Sequence, residues 1–142
     1  MKERSTIAYW DTSAIVSALF RDEHSDGAVL TARSGGMHLI SSLAWAEAHA
    51  VIARIERERM LSPVLVRSAR DVLSDGPWRR IYVEPSWERA AGLARAWPLR
   101  GADLWHLTAA KELQDVLPEL TFLSFDTRLS VAAAGEGLQA PL

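Results

Sequence analysis

The chain has 142 residues, is 49% hydrophobic, carries a formal net charge of -2 and contains no cysteine. Such a length accommodates one domain with a proper core, and such a hydrophobic share excludes disorder as the default state. Disulfides and thiolate metal sites are excluded, and the near-neutral charge argues against a broad electrostatic grip on nucleic acid.

In chain order, Ile7–Trp10 reads as a short apolar strand that stops at Asp11. Asp11-Thr12-Ser13 then reads as a cap leading into a helix over Ala14–Phe20. After a polar break at Arg21–Asp26, a second helix is expected over Gly27–Arg33, ended by Gly35-Gly36. Met37–Ser41 is the next strand, and Leu43–Met60 a long helix with a charged end at Glu56–Arg59. Ser62-Pro63 supplies a cap and a first-turn proline for a helix running to Ser74, broken at Asp75-Gly76-Pro77. Arg80–Glu84 reads as a strand ended by Pro85, and Ser86 caps a helix to Trp97. Pro98–Gly101 is a loop, Ala102–Leu113 a helix, Thr121–Phe125 a strand ending at Asp126, and a short helix follows to Gly135. The tail Leu138–Ala140 is a candidate edge strand.

Strands separated by helices predict an α/β architecture with a mostly parallel sheet covered on both faces. In such sheets the ligand crevice lies outside the carboxyl ends of the strands. Two strands end alike, at Trp10-Asp11-Thr12 and Phe125-Asp126-Thr127, which aims both aspartates at one crevice. No repeat or linker divides the chain, so residues 1–142 read as a single domain. No apolar run reaches the roughly 18 residues of a membrane span, and no secretory pattern opens the chain, so a cytoplasmic protein is expected.

Four carboxylates stand out: Asp11, Glu47, Asp103 and Asp126. Asp11 and Asp126 have an ordinary use as helix caps, and Asp103 one at a helix start, where the dipole favours negative charge. Glu47 is harder to place, because Leu43, Glu47, Val51 and Ile55 recur at i+4 spacing and put it within an apolar stripe. A buried salt bridge to an arginine is one answer. A hard divalent cation among gathered carboxylates is the other, and the set as a whole favours it. Of the 16 basic residues all but Lys2 and Lys111 are arginine, the better fork for phosphate, although genomic base composition produces the same bias.

Asp11-Thr12-Ser13-Ala14, Glu47, the block Gly101–Ala110 and the segment Leu123–Leu129, in this order, give the chain its resemblance. It resembles a PIN domain, and among these the VapC toxins of toxin–antitoxin pairs, over nearly its whole length. Trp105 departs from the smaller aliphatic residue usual in the family. The resemblance implies a three-layer α/β/α fold with a central mostly parallel sheet and Mg²⁺- or Mn²⁺-dependent cleavage of RNA. It further implies a cognate VapB-like antitoxin and a homodimer, for which a tryptophan-bearing helix offers a contact.

The expected chemistry is metal-assisted hydrolysis of RNA phosphodiesters. Asp11, Asp103 and Asp126 would hold one or two ions, about 4 Å apart if two, and Glu47 would complete the site or orient water. Ser124 or Thr12 would hold a water or a phosphate oxygen. His106 is expected to hydrogen-bond within the helix packing rather than ligate, and His24, His38 and His49 show no metal spacing. Trp45, Trp78, Trp87 and Trp97 read as core or interface anchors. Ser13 has no base placed to make it a nucleophile. A haloacid-dehalogenase-like phosphatase would need an aspartate where Ser13 stands, and a receiver domain would need adjacent acids and a late lysine, which are missing. The remaining alternative is a PIN-like module that binds RNA or a partner without cutting.

Overall fold

The computed structural model describes residues 6–141. Among these, β1 (Ile7–Trp10), β2 (Met37–Ser41), β3 (Trp78–Ile81) and β4 (Leu120–Leu123) form a wholly parallel sheet in the order β3-β2-β1-β4. The helices are α1 (Thr12–Leu19), α2 (Ser25–Arg33), α3 (Ser42–Arg57), α4 (Pro63–Asp75), α5 (Trp87–Ala96), α6 (Gly101–Val116) and α7 (Thr127–Gly135).

Alternation along the strands sends side chains to opposite faces and so builds two cores. Ala8, Trp10 and Ile40 pack with Ile15, Ala44, Ala48, Ile52, Val66 and Leu73 of α1, α3 and α4, with Ala28 of α2 in the same cluster. Ile7, Tyr9, Leu39 and Phe122 pack on the other face with Leu93, Leu107, Leu129 and Ala132 of α5, α6 and α7. The result is the expected three-layer α/β/α arrangement. Trp10 is fully buried and meets Trp78 edge-on at 4.7 Å, while its indole N–H donates to His38 Nδ1 at 3.1 Å. Truncating a side chain of that size in such a place costs about 4 kcal/mol.

Five helices start where a short polar side chain predicts it: Asp11, Ser41, Ser62, Ser86 and Asp126 each accept a hydrogen bond from a backbone N–H three residues on. Several boundaries differ from expectation. β3 begins at Trp78 rather than Arg80, because the Trp78 indole donates to the Val72 carbonyl and pins the strand just after the Pro77 break. α2 starts two residues early at Ser25, whose hydroxyl donates to the Phe20 carbonyl. α3 stops at Arg57 because Arg59 adopts a left-handed conformation (φ 51°), which returns the Met60 N–H to the Ile55 carbonyl. The tail contributes a single parallel bridge, Gln139 to Thr121, in place of a strand.

The stripe of α3 also needs correction. Its buried line is Ala44, Ala48, Ile52 and Ile55, and Glu47 stands beside it with a side chain 37% exposed. Alanines let the helix approach the sheet closely, so they take the inward face and tilt the glutamate to the edge of the crevice.

Candidate active site

The parallel sheet puts the ends of β1 and β4 side by side: the Asp11 N–H donates to the Leu123 carbonyl at 3.1 Å. Asp11 follows β1 and is 2% exposed. Its carboxylate accepts hydrogen bonds from the Ala14 N–H (2.8 Å), the Ser13 hydroxyl (2.8 and 2.9 Å) and the Ser124 hydroxyl (2.5 Å). These donors are all neutral. Burial pushes the Asp11 carboxyl up to about 6, outweighing the three hydrogen bonds, and the negative charge of Asp103 adds to the rise.

Asp103 lies half-buried in the first turn of α6. Its pKa is also raised, first by burial, then by the charges of Asp126 and Glu47, while Arg100 pulls the other way. Asp126 is exposed, caps α7 through the Leu129 N–H at 2.8 Å, and shares with Asp103, Arg100 and Arg128 the wall of a cavity of about 290 Å³. A larger hollow of about 590 Å³ near Met60 and Pro63 contains none of the four acids. Asp103 is thus the common neighbour, acting on Asp11 and acted on by Asp126 and Glu47. Among the described residues, no arginine or lysine forms an ion pair with any of them.

Glu47 reaches the group from α3. Its Oε1 accepts from the Thr12 hydroxyl at 2.7 Å and lies 3.6 Å from His106 Nε2. His106 is buried, with Nδ1 2.6 Å from the Tyr9 hydroxyl and Nε2 3.1 Å from Thr12 Oγ1. Burial lowers its pKa to about 4, and the Glu47 charge only partly opposes that, so the ring is neutral near physiological pH. Both ring nitrogens are taken, so His106 is no ligand. It bonds across to β1 and α1, not within its own helix. Burial also raises the Tyr9 hydroxyl well above its usual range.

Sequence reasoning passed over Ser13, having weighed it only as a nucleophile, and did not see Tyr9. The signal for Ser13 was its place two residues beyond a capping aspartate, where a hydroxyl folds back onto the carboxylate. Ser124 and Thr12 donate to Asp11 and Glu47.

The donor set is made of carboxylate oxygens, with no thiolate and no free imidazole, which suits Mg²⁺ or Mn²⁺. Among the described residues no three acidic or histidine side chains close around a single point.

A family profile described as "PIN domain" matches residues 8–135. The chain belongs to the PIN domain family. Two curated relatives support the placement of this PIN domain: Ribonuclease VapC45 of Mycobacterium tuberculosis (strain CDC 1551 / Oshkosh) and Ribonuclease VapC49 of Mycobacterium tuberculosis (strain ATCC 25618 / H37Rv). Each is 32% identical over 134 residues, covering 92% of this chain and 92% of the relative. At that identity over nearly full length, this is a VapC-like PIN domain. No helix among its described residues is long and apolar enough to cross a membrane.

Proposed function

We propose that the chain is a divalent-metal-dependent endoribonuclease, a hydrolase of RNA phosphodiesters, acting as a single PIN domain and as the toxin of a toxin–antitoxin pair. The observation that carries this reading is Asp11: a carboxylate 2% exposed, pushed up to about 6, under the negative charge of Asp103 and, among the described residues, with no paired cation. An arrangement that resists ionisation is useful where a cation will stabilise the charge. The resemblance to two proteins named as ribonucleases gives the reaction class.

Asp11, Asp103 and Asp126 would hold one or two Mg²⁺ or Mn²⁺ ions. Such an ion supplies positive charge to the phosphate oxygens and lowers the pKa of water. Asp11 is kept in place by Ser13 and Ser124. Glu47 presents its carboxylate to the crevice and orients water toward phosphorus. Arg100 and Arg128, on the wall of the cavity that Asp103 and Asp126 also line, would meet flanking phosphates of the RNA.

The test is cleavage of total RNA by purified protein with and without EDTA, beside Asp11→Asn. The wild type should cut only without chelator and the variant not at all. Activity in both EDTA and Asp11→Asn rules the proposal out, and RNA bound but intact supports a non-catalytic PIN-like module.

Two partners belong to the same reading. A cognate VapB-like antitoxin would mask the crevice with an apolar helix and an arginine. Co-expression of the neighbouring small gene should then relieve toxicity in the cytoplasm, where both would work. A homodimer is expected through the exposed face of α5 that carries Trp87, 93% exposed at the start of that helix. Trp87→Ala should move the chain toward monomer in sedimentation.

A further inference from the structure

We propose that Tyr9, His106 and Thr12 form a hydrogen-bond chain with a single allowed arrangement of protons, and that its task is to hold the Glu47 carboxylate in one orientation over the crevice. This rests on the nuclease reading and names positioning residues for it.

The chain crosses four elements. Tyr9 comes from β1, His106 from α6, Thr12 from the start of α1 and Glu47 from α3. The links are 2.6 Å from Tyr9 Oη to His106 Nδ1, 3.1 Å from His106 Nε2 to Thr12 Oγ1, and 2.7 Å from Thr12 Oγ1 to Glu47 Oε1. The Thr12 hydroxyl donates to Glu47 Oε1. Its proton is then used, and Thr12 Oγ1 must accept from His106. His106 therefore carries its proton on Nε2, leaving Nδ1 bare to accept the Tyr9 hydroxyl. Each step forces the next.

The far end is rigid. Tyr9 is fully buried and stacks on Phe122 with ring centroids 5.5 Å apart and planes 7° from parallel. His106 is buried beside Trp105, edge-on at 5.6 Å. Among the described residues no buried side-chain polar atom lacks a partner, so the chain is fully satisfied inside the protein. The near end is different, since Glu47 is 37% exposed and could remain solvated without any tether. Only Oε1 takes a hydrogen bond from the described residues, which leaves Oε2 for the crevice. A buried network that ends on one oxygen of a half-exposed glutamate orders that side chain, and ordering a reacting group in advance is worth rate.

The experiment combines heteronuclear NMR with cleavage of a quenched fluorescent single-stranded RNA in Mn²⁺. At neutral pH the NMR of wild type should show His106 as the Nε2–H tautomer, a readout that needs no RNA. Thr12→Val should lower kcat on the order of 10-fold, the usual effect of removing a group that orients a functional ligand. KM should stay unchanged, and Thr12→Ser should restore the rate. In a Glu47→Gln background, Thr12→Val should add nothing further. Tyr9→Phe, which removes one oxygen, should weaken the tautomer preference and lower kcat in the same direction. An Nδ1–H tautomer overturns the chain. So does an unchanged kcat in Thr12→Val, or an equal loss in the Glu47→Gln background. If wild type cuts no RNA while the Nε2–H tautomer is present, the nuclease reading fails and the proton order stands.

Discussion

The Ser124 hydroxyl donates to Asp11 Oδ2 at 2.5 Å, tying the residue after β4 to the residue after β1. Ser124 Oγ also accepts the Asp126 N–H at 3.1 Å, so one side chain couples two of the four acids. The bond favours the ionised form of Asp11 against its burial. Ser124→Ala should therefore raise the Asp11 pKa further, and the acid limb of kcat against pH should move upward by about one unit. A limb that stays in place in the variant would assign it to another group.

Asp11→Asn should stabilise the protein in chelator. The Asp11 pKa is raised from 3.8 to about 6 in the folded chain, so the folded state binds the extra proton between those values. Stability is then lost as pH rises through that window and stays lost above it, by about 3 kcal/mol. Asparagine carries no charge, and the serine hydroxyls can reverse to suit its amide. In EDTA at neutral pH the variant should melt about 10 °C above wild type.

Mg²⁺ or Mn²⁺ should raise the wild-type melting temperature at neutral pH, because the ion binds the folded site. At a concentration 100 times its dissociation constant the gain is about 2.7 kcal/mol. Asp103→Asn and Asp126→Asn should each shrink that shift and remove RNA cleavage. Differential scanning fluorimetry with millimolar metal reads it, and an unchanged melting curve for wild type argues against an ion site.

His106 acts in the opposite sense on the acid side. Its pKa is lowered from 6.5 to about 4, so the unfolded chain binds the proton first. Stability is lost as pH falls through that window, approaching about 3 kcal/mol at its lower end. His106→Gln should flatten this acid slope in urea denaturation series taken across it.

Gly36→Ala tests the entry to β2. Gly36 has φ +111°, and an added Cβ would overlap the Thr6 carbonyl oxygen, the same oxygen that accepts the Met37 N–H at 2.8 Å. Both the backbone conformation and the contact oppose a side chain there. The substitution should destabilise by about 3 kcal/mol, read from the urea midpoint.

Much of the architecture was legible before any coordinates. β1 and β2 have the expected ends, since each is an apolar run closed by a capping residue, Asp11 or Ser41. Ser62-Pro63 and Ser86 likewise mark the starts of α4 and α5. The edge strand β3 was displaced by two residues because its start depends on Trp78 reaching Val72, a contact no local pattern records. Glu47 was picked out for a partly mistaken reason: i+4 spacing defines a face but cannot say which face alanines will bring against the sheet.

Local chemistry along the chain thus determined the alternation of strands and helices, their caps and the identity of four acidic side chains. These depend on neighbours within a few residues. Only the tertiary structure decided which neutral donors surround Asp11, that Glu47 stands at the rim, and that a buried tyrosine reaches it through His106 and Thr12. Those contacts join residues as many as 113 positions apart, as between Asp11 and Ser124. They exist because a parallel sheet lays the carboxyl ends of distant strands side by side, and sequence spacing carries no record of which ends will meet.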